Sequence, residues 1–364
     1  MKDLSGAAYT PAMKAPRPRT AIVTGATGQD GYFLVNRLLR EGWTVHAPVR
    51  DTAAAERLFG THERLVTVKR DLRDPAPLAA LVGELRPEEL YNLAGESSVS
   101  ASFDDPRSTW ETNAHVVVQL LDAVRTDSPE TRVYQASSGE MFGSTPGGDV
   151  VHDEESALNP QSPYAAAKAA AHMLCRSYRE SYGVRIACGI LFNHESHRRG
   201  ARFLSRKVVD HLKSLEETGE RRPLYVGNLK AQRDWGYAPD YVDGMVTIMR
   251  QAVTRDVPDT PESYRDYVLG TGRLHTVWEL IDTAFLLGGH PLVWELDDLD
   301  PLQWRATFAD TGELAVAVDS AFVRPSDPRA IAADPTRIRT ELGWEPQLGL
   351  EVFLRDMLET PAAV

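Results

Sequence analysis

The sequence predicts an α/β fold built on a doubly wound parallel sheet, and two observations support this prediction. Through the first half of the chain, short β-rich runs alternate with longer segments whose apolar residues recur at helical spacing. The first of these runs is followed by a glycine-rich stretch, Gly25–Gly31, and then by the first helical segment. Repeated β-α units of this kind form parallel sheets with right-handed crossover helices.

The elements of this sheet follow one another in chain order. Short runs of β-branched and apolar residues predict strands at Thr20–Thr24, Thr44–Val49, Leu65–Lys69, Glu89–Leu93, Arg132–Ala136 and Arg185–Phe192. Apolar residues at helical spacing predict the intervening helices at Gly31–Glu41, Ala76–Leu85, Val116–Val124 and Ser162–Tyr182.

The pattern changes after residue 192. Proline-rich loops are expected there, interrupted by helices at Ala201–Leu215, Tyr241–Ala252 and Thr276–Leu287. We expect residues 20–192 to form a dinucleotide-binding core, to which some later segments return. Residues 193–364 are expected to form mainly a smaller, substrate-binding domain. Residues 1–19 lack the apolar region of a secretory signal, and we interpret them as a flexible leader.

Composition excludes several classes of protein. The formal net charge of −12 argues against a general nucleic-acid binder, which would carry a basic face. No apolar run is long enough to cross a bilayer. The cysteines, Cys175 and Cys188, each lie in an apolar stretch, so we interpret them as buried thiols and expect neither a disulfide framework nor a metal site. A cytoplasmic location is expected.

The glycine-rich stretch indicates a Rossmann-type dinucleotide site. Gly25 permits a tight turn after the strand, Gly28 allows close approach of a pyrophosphate, and Gly31 lets the helix pack against the strand. The start of the helix then offers unpaired N–H groups to the phosphates. The expected contacts in this stretch are Gly25, Thr27, Gly28, Gln29, Asp30 and Gly31.

The end of the second strand bears on the choice of cofactor. An acidic residue there would bind the ribose of NAD, whereas an arginine suits the 2′-phosphate of NADP. Val49 takes the acidic position and Arg50 follows, which favours NADP and leaves NAD open; Arg50 as a plain surface charge is the alternative. Asp71 and Leu72, after the third strand, are expected near the adenine, and Asp71 as a loop cap is the alternative.

The catalytic residues are expected on the helix at Ser162–Tyr182 and at the end of the strand Arg132–Ala136. Tyr164 and Lys168 are spaced four residues apart, which places both on one helix face. The ammonium and a positive nicotinamide ring would both lower the pKa of the phenol and make it a base toward a sugar hydroxyl. Ser138 and Glu140 leave the strand end nearby, as a hydroxyl partner and a second base. An exposed loop carboxylate is the alternative for Glu140.

These motifs resemble the extended short-chain dehydrogenase/reductases, and among them the GDP-mannose 4,6-dehydratases. The resemblance covers the chain from about Thr20 to its end. It is carried by Thr24–Gly31, Tyr91–Ala94, Tyr134–Ser137, Ser162–Lys168, Gly189–Gly200, Gly227–Gly236, Arg324–Pro325 and Leu342–Trp344.

The resemblance implies a reaction on a nucleotide-diphosphate sugar, with GDP-mannose as the substrate. NADP takes hydride from C4 while Tyr164 removes the O4 proton, assisted by Ser138. Glu140 then removes the C5 proton, water leaves from C6, and hydride returns to C6 to give a 4-keto-6-deoxy sugar. No metal is implied, and a homodimer or homotetramer is expected.

The resemblance also implies the contact residues. The cofactor would be bound, beyond the glycine stretch, by Arg50, Asp71, Leu72, Leu93, Ala94, Tyr164, Lys168, Leu191, Asn193 and Arg199. The nucleotide sugar would be bound by Ser97, Glu140, Asn193, Arg198, Lys207, Leu224, Gly227, Arg233, Arg324 and Asp327.

The chain departs from the family pattern at three places. Ser138-Gly139-Glu140 replaces the usual Thr-Ser-Glu, so a proton for the leaving C6 hydroxyl must come from Glu140 or from a water. Arg50–Ala53 replaces Arg-Arg-Ser-Ser, where neighbouring subunits of the family share a cofactor contact, and Asp327 and Arg329 stand where the family commonly has Glu. An epimerase, a uronate decarboxylase and a non-catalytic cofactor-binding protein are the alternative functions.

Overall fold

The computed structural model describes residues 19–74, 76–144, 150–297, 300–322 and 330–361. Its main sheet has seven strands, all parallel, which confirms the predicted doubly wound α/β fold. The central strands are buried along their length, because helices cover both faces. In spatial order the strands are β11 (Tyr267–Leu269), β7 (Ile186–Leu191), β5 (Arg132–Ser138), β4 (Glu89–Asn92), β1 (Thr20–Thr24), β2 (Thr44–Val49) and β3 (Leu65–Lys69).

The helices begin and end at well-marked residues, with Ser162 and Thr276 as side-chain N-caps. A π-helical turn at Glu111–His115 joins the fifth and sixth helices into one continuous segment. The helices are α1 (Gln29–Arg40), α2 (Thr52–Phe59), α3 (Ala76–Leu85), α4 (Val99–Asp104), α5 (Pro106–Trp110), α6 (Val116–Asp127), α7 (Pro163–Tyr182), α8 (Leu204–Thr218), α9 (Ala238–Met249), α10 (Gln251–Thr254), α11 (Val277–Leu287), α12 (Thr336–Leu342) and α13 (Leu350–Glu359).

Two apolar cores hold these helices against the main sheet. On one face, Leu34 of α1 and Tyr241 of α9 belong to a cluster with strand residues of β1 and β2. On the other face, Leu78 of α3, Val124 of α6 and Cys175 of α7 form a second cluster. Burial of apolar surface on both faces is the main stabilising term for such a sheet.

Two smaller sheets are built mainly from the second half of the chain. One contains β12 (Leu274–Thr276), β10 (Gln232–Tyr237), β16 (Ala330–Ala333) and β6 (Val151–His152), with β8 (Asn193–Glu195) paired to β10. The other contains β13 (Leu292–Glu295), β14 (Arg305–Phe308), β15 (Leu314–Val318) and β9 (Leu224–Val226). A separate apolar core lies between this last sheet and helices α8, α11 and α13.

Several predicted boundaries were wrong. Helix α1 begins at Gln29 because Gly28 is still extended, with ψ of 177°. Strand β5 continues to Ser138 because it stays paired with β7 as far as Leu191. The predicted helix at Tyr241–Ala252 begins earlier, at Ala238, and is interrupted at Arg250.

The expectation that the chain after α11 is mostly loop was also wrong. Strands β13, β14 and β15 form there, and helix α13 completes the core beneath them. Cys175 and Cys188 are buried and free, as predicted. Among the described residues, no helix combines the length and apolar character needed to cross a membrane.

Candidate active site

The glycine turn after β1 has a backbone that only glycine accommodates. Gly25 has a φ of +70°, and a Cβ on it would lie 2.9 Å from the backbone nitrogen of Ala94. A Cβ on Gly31 would lie 2.1 Å from the carbonyl oxygen of Gly25. Gly28 is the N-cap of α1, so the first N–H groups of the helix have no side-chain acceptor there. This turn fits the pyrophosphate of a dinucleotide.

The strand ends beside this turn carry the side chains predicted for the adenosine part of a cofactor. Arg50 is exposed at the end of β2, and the next residue, Asp51, caps α2 through the N–H groups of Ala53 and Ala54. Asp71 pairs with Arg73 at 2.5 Å, and these hydrogen bonds lower the pKa of Asp71 to about 2. Asp71 therefore caps a local turn, which is the alternative that the sequence left open for this residue.

Helix α7 brings the Tyr–Lys pair to the carboxyl edge of the main sheet. Ser162 accepts the N–H of Ala165 and so starts the helix just before Tyr164. Both side chains of the pair are buried, and the Lys168 ammonium lies 5.9 Å from the centre of the Tyr164 ring. The ammonium donates a hydrogen bond of 3.0 Å to the carbonyl oxygen of Ala136, which fixes it against β5.

The expected lowering of the Tyr164 pKa is not found in the protein alone. Burial raises the pKa of Tyr164 to about 12, opposed by a hydrogen bond with Ser138 and increased by the Glu140 carboxylate. Burial also lowers the pKa of Lys168 to about 8. The sequence-based prediction included the positive charge of a bound nicotinamide ring and left out desolvation, and the raised pKa is that of the protein without the ring.

Ser138 and Glu140 leave the end of β5 on a short 3₁₀ turn, Gly139–Met141. The Ser138 hydroxyl accepts the N–H of Glu140 at 3.3 Å, which starts the turn. Gly139 lies against the Phe192 ring, because a Cβ added at Gly139 would be 3.1 Å from three of its carbons. The space beyond Gly139 is therefore filled by an aromatic ring.

One cleft at the carboxyl edge of the sheet collects most of the predicted site. The predicted residues that line this central cleft are Asp30, Leu93, Ser97, Ser138, Glu140, Tyr164, Lys168, Leu191, Asn193, Arg199, Lys207, Gly227 and Arg233. The predicted residues outside its lining are Gly25, Thr27, Gly28, Gln29, Gly31, Arg50, Asp71, Leu72, Ala94 and Leu224. Arg324 and Asp327 lie outside the described residues.

The basic side chains of the cleft are held by neighbours. Arg199 pairs with Glu195 at 2.9 Å. Lys207 donates to the carbonyl oxygen of Tyr225 at 2.6 Å. Arg233 is buried and donates to the carbonyl oxygen of the preceding residue at 2.8 Å. Cations fixed in this way present their remaining N–H groups to phosphate oxygens.

Arg198 does not join these cations. Its guanidinium lies 4.5 Å from the centre of the Tyr32 ring, and the residue does not line the central cleft. The structure therefore places it apart from the side chains expected to bind the nucleotide sugar.

Sequence reasoning missed several residues of the cleft lining, including His194, Phe322 and Arg202. His194 pairs with Asp30, whose position is 164 residues earlier, so no local pattern marks the contact. Phe322 is half exposed and lies 3.8 Å below the Lys207 ammonium. Arg202 lies beyond the Gly189–Gly200 stretch that resembles the family.

Comparison with known proteins identifies the family of this chain. A family model described as GDP-mannose 4,6 dehydratase matches residues 22–357. The chain belongs to this family. It is 35% identical to the GDP-mannose 4,6-dehydratase of Vibrio cholerae, over 93% of this chain and 92% of that protein. It is 34% identical to the human GDP-mannose 4,6 dehydratase, over 94% of this chain and 91% of that protein.

Solved structures share the fold of this dehydratase-family chain at lower identity. RMD from Pseudomonas aeruginosa, complexed with NADPH, superimposes with a TM-score of 0.69 at 21% identity, covering 94% of this chain and 98% of that one. UDP-glucose 4-epimerase from Thermotoga maritima, solved with UDP-glucose, gives a TM-score of 0.75 at 20% identity, covering 93% and 97%. These likenesses confirm the Rossmann-type fold.

Proposed function

We propose that this chain is an NADP-dependent enzyme that converts GDP-mannose to GDP-4-keto-6-deoxymannose. The observation that carries the proposal is the convergence of Ser138, Glu140, Tyr164 and Lys168 on one cleft beside the glycine turn. Membership of the GDP-mannose 4,6-dehydratase family supports the same reaction. The relatives named above act on GDP-mannose by name, and the cleft has cations for a diphosphate.

The first half of the reaction, the oxidation of C4, uses the residues around Tyr164. A bound nicotinamide ring supplies the means of oxidising C4 and later of reducing C6. Tyr164 takes the proton of the O4 hydroxyl, and Ser138 holds that oxygen by a hydrogen bond. The ammonium of Lys168, fixed on Ala136, favours the phenolate. A positive ring bound beside it would lower the Tyr164 pKa from the raised value that it has in the protein alone.

The second half belongs to Glu140. Its carboxylate takes the C5 proton, which the C4 ketone has acidified, and the C6 hydroxyl leaves as water. Gly139 offers no donor, and the Phe192 ring packs against the place where a side chain would begin. We therefore assign the proton for the leaving hydroxyl to Glu140 or to a water that it holds.

The diphosphate is proposed to lie among Asn193, Lys207 and Arg233, with the sugar reaching toward Glu140. Ser97 and Gly227 line the same cleft. Arg199, whose charge acts on the Asp30 carboxylate, is assigned to the cofactor side.

One assay tests the proposal against its alternatives. The purified protein is incubated with GDP-mannose, and the mass of the product is measured by mass spectrometry. No net consumption of cofactor is expected during the reaction. Loss of one water supports the dehydratase. An unchanged mass with altered stereochemistry would identify an epimerase instead, and loss of carbon dioxide from a uronic acid nucleotide would identify a decarboxylase.

The preference for NADP is tested at Arg50. Replacing this exposed arginine by alanine removes the proposed charge-assisted hydrogen bond to the 2′-phosphate, so the Kd for NADP should rise about 10-fold or more. The Kd for NAD should stay nearly unchanged, since NAD has no phosphate there. Titration of both dinucleotides by fluorescence measures the two values. Equal weakening of both would contradict the role of Arg50.

The pH dependence of the reaction should reflect the protonation of Lys168. Burial lowers the pKa of its ammonium from 10.5 to about 8, so the positive charge is present below about pH 8 and is lost above it. The active form pairs a Tyr164 phenolate with a Lys168 ammonium, so it holds one proton fewer than the fully protonated pair. Its population rises with pH up to about 8 and then levels off, because burial raises the pKa of the Tyr164 phenol to about 12. We expect kcat/KM to follow the same curve. A pH–rate profile measures the bend near pH 8, and Lys168→Met should remove the bend together with most of the activity at neutral pH. A rate that keeps rising steeply well above pH 8 would contradict the assignment.

A further inference from the structure

A cluster of polar contacts joins the glycine turn to the segment that follows β7. Both carboxylate oxygens of Asp30, in the first turn of α1, lie 3.0 Å from Nε2 of His194. The preceding residue, Gln29, donates from Nε2 to the carbonyl oxygen of His194 at 3.0 Å, and its Oε1 accepts from the Ser196 hydroxyl at 2.9 Å. Side chains of two adjacent residues therefore hold the segment 193–196 against the turn.

The hydrogen bonds of His194 require a charged ring. Its Nδ1 lies 2.7 Å from the carbonyl oxygen of Phe192, and its Nε2 faces the Asp30 carboxylate. A carbonyl oxygen and a carboxylate can only accept, so both ring nitrogens donate and the imidazole is an imidazolium. Although burial opposes this charge, the carboxylate of Asp30 raises the pKa of His194 above its usual value.

The pair is held by packing as well as by hydrogen bonds, and it lies beside the place proposed for the cofactor. The His194 ring stacks on the buried Tyr241 ring at 4.5 Å, which fixes its plane. Asp30 and His194 both line the central cleft. The start of α1, which attracts the phosphates of a dinucleotide, thus already carries a carboxylate. His194 and Arg199 both attract the Asp30 carboxylate and balance its charge.

We propose that Asp30 and His194, with Gln29 and Ser196, form a clamp that closes the segment 193–199 over the glycine turn and slows release of the bound dinucleotide. The inference rests on the proposed function, because it needs a dinucleotide in this cleft. A reaction that returns its cofactor to the starting state gains from a slow release, since the cofactor need not exchange between turnovers. Asp30 and His194 are positioning residues in this proposal.

The same segment offers a matched control. The imidazole of His197 pairs through Nδ1 with Asp356 at 2.9 Å, and this pair ties the segment to α13 instead of the glycine turn. Neither His197 nor Asp356 lines the central cleft. Asp356→Asn therefore removes the same kind of His–carboxylate pair at a place where the clamp predicts no effect on the cofactor.

The test measures release and does not depend on turnover. The full-length protein is loaded with NADPH, mixed with an excess of NADP, and the loss of bound NADPH fluorescence is followed by stopped flow. We expect Asp30→Asn to release NADPH about 10-fold faster or more than the wild type, because one partner of a partly buried, charged hydrogen bond is lost. Asp356→Asn should release it at the wild-type rate. Equal rates for Asp30→Asn and wild type, or equal acceleration by both variants, would overturn the clamp.

Two further measurements keep the inference separate from folding and from the proposed function. If Asp30→Asn does not fold, Ser196→Ala can be used, because it removes only the hydroxyl that holds Gln29. Release of NADPH should still be several-fold faster than in the wild type. An unchanged rate would contradict the clamp. Nitrogen NMR of histidine-labelled wild type should show both His194 nitrogens protonated, and a neutral ring would overturn the charge assignment. A wild type that binds no NADPH or NADP would refute the proposed function itself.

Discussion

Replacing Tyr164 by phenylalanine is expected to lower kcat by about 10³-fold or more, which is the loss typical of a missing proton acceptor in the first chemical step. The ring is buried at the start of α7, so phenylalanine fills the same space and the fold should be preserved. Binding of the nucleotide sugar should change little, because the proposed diphosphate contacts lie on other residues. Steady-state assays with GDP-mannose measure kcat, and titration with GDP measures binding.

A second tyrosine of the same helix supplies the control for this variant. The Tyr178 hydroxyl donates to Asp122 at 3.0 Å, and Tyr178 lies about four helical turns from Tyr164, outside the lining of the central cleft. Tyr178→Phe also removes one phenolic hydroxyl from α7 and should leave kcat close to the wild-type value. Near-normal turnover by Tyr164→Phe would show that another group takes the O4 proton.

The glycine turn shows why part of the site could be predicted from sequence. Gly25 needs a positive φ, and Gly31 lies so close to the Gly25 carbonyl that no side chain fits. Such local demands on the backbone appear directly as glycines at fixed spacing. The spacing of Tyr164 and Lys168 on one helix turn is a local pattern of the same kind, and the structure places both side chains in the central cleft.

Contacts between distant segments could not be predicted in this way. The Asp30 carboxylate faces His194, a residue of β8 that lies 164 positions later in the chain, so no local pattern marks the contact. The burial that raises the Tyr164 pKa also depends on the whole fold. Strands β13 to β15 were missed because each has only four or five residues, too few for a clear period-two pattern.

The role of Gly139 could be predicted from the sequence only in part. The sequence alone showed that a side chain usual in the family is missing. The fold adds that the Phe192 ring stands 3.1 Å from where a Cβ would be placed, so a restored side chain would have to displace the ring. In the proposed reaction, elimination therefore depends on Glu140.

Glu140→Gln is expected to separate the two halves of the reaction. The variant should still oxidise C4, because Tyr164, Ser138 and Lys168 remain. The Glu140 carboxylate raises the pKa of Tyr164, so its removal should lower that pKa and favour the phenolate. Glutamine cannot accept the C5 proton, and loss of water should fall by about 10²-fold or more. Absorbance of the reduced nicotinamide in the near ultraviolet, and the mass of the sugar product, measure the two halves separately.

The expected signature is therefore a rise of reduced cofactor to about one equivalent per site, with no product lighter by one water. Glu130→Gln is the control, since Glu130 is a surface carboxylate paired with Arg185, and it should turn over normally without accumulating reduced cofactor. If Glu140→Gln eliminates water at the wild-type rate, the C5 proton goes to another group. If it neither oxidises nor eliminates, Glu140 acts before the C5 step, and its effect on Tyr164 would have to be something other than the repulsion found in the structure.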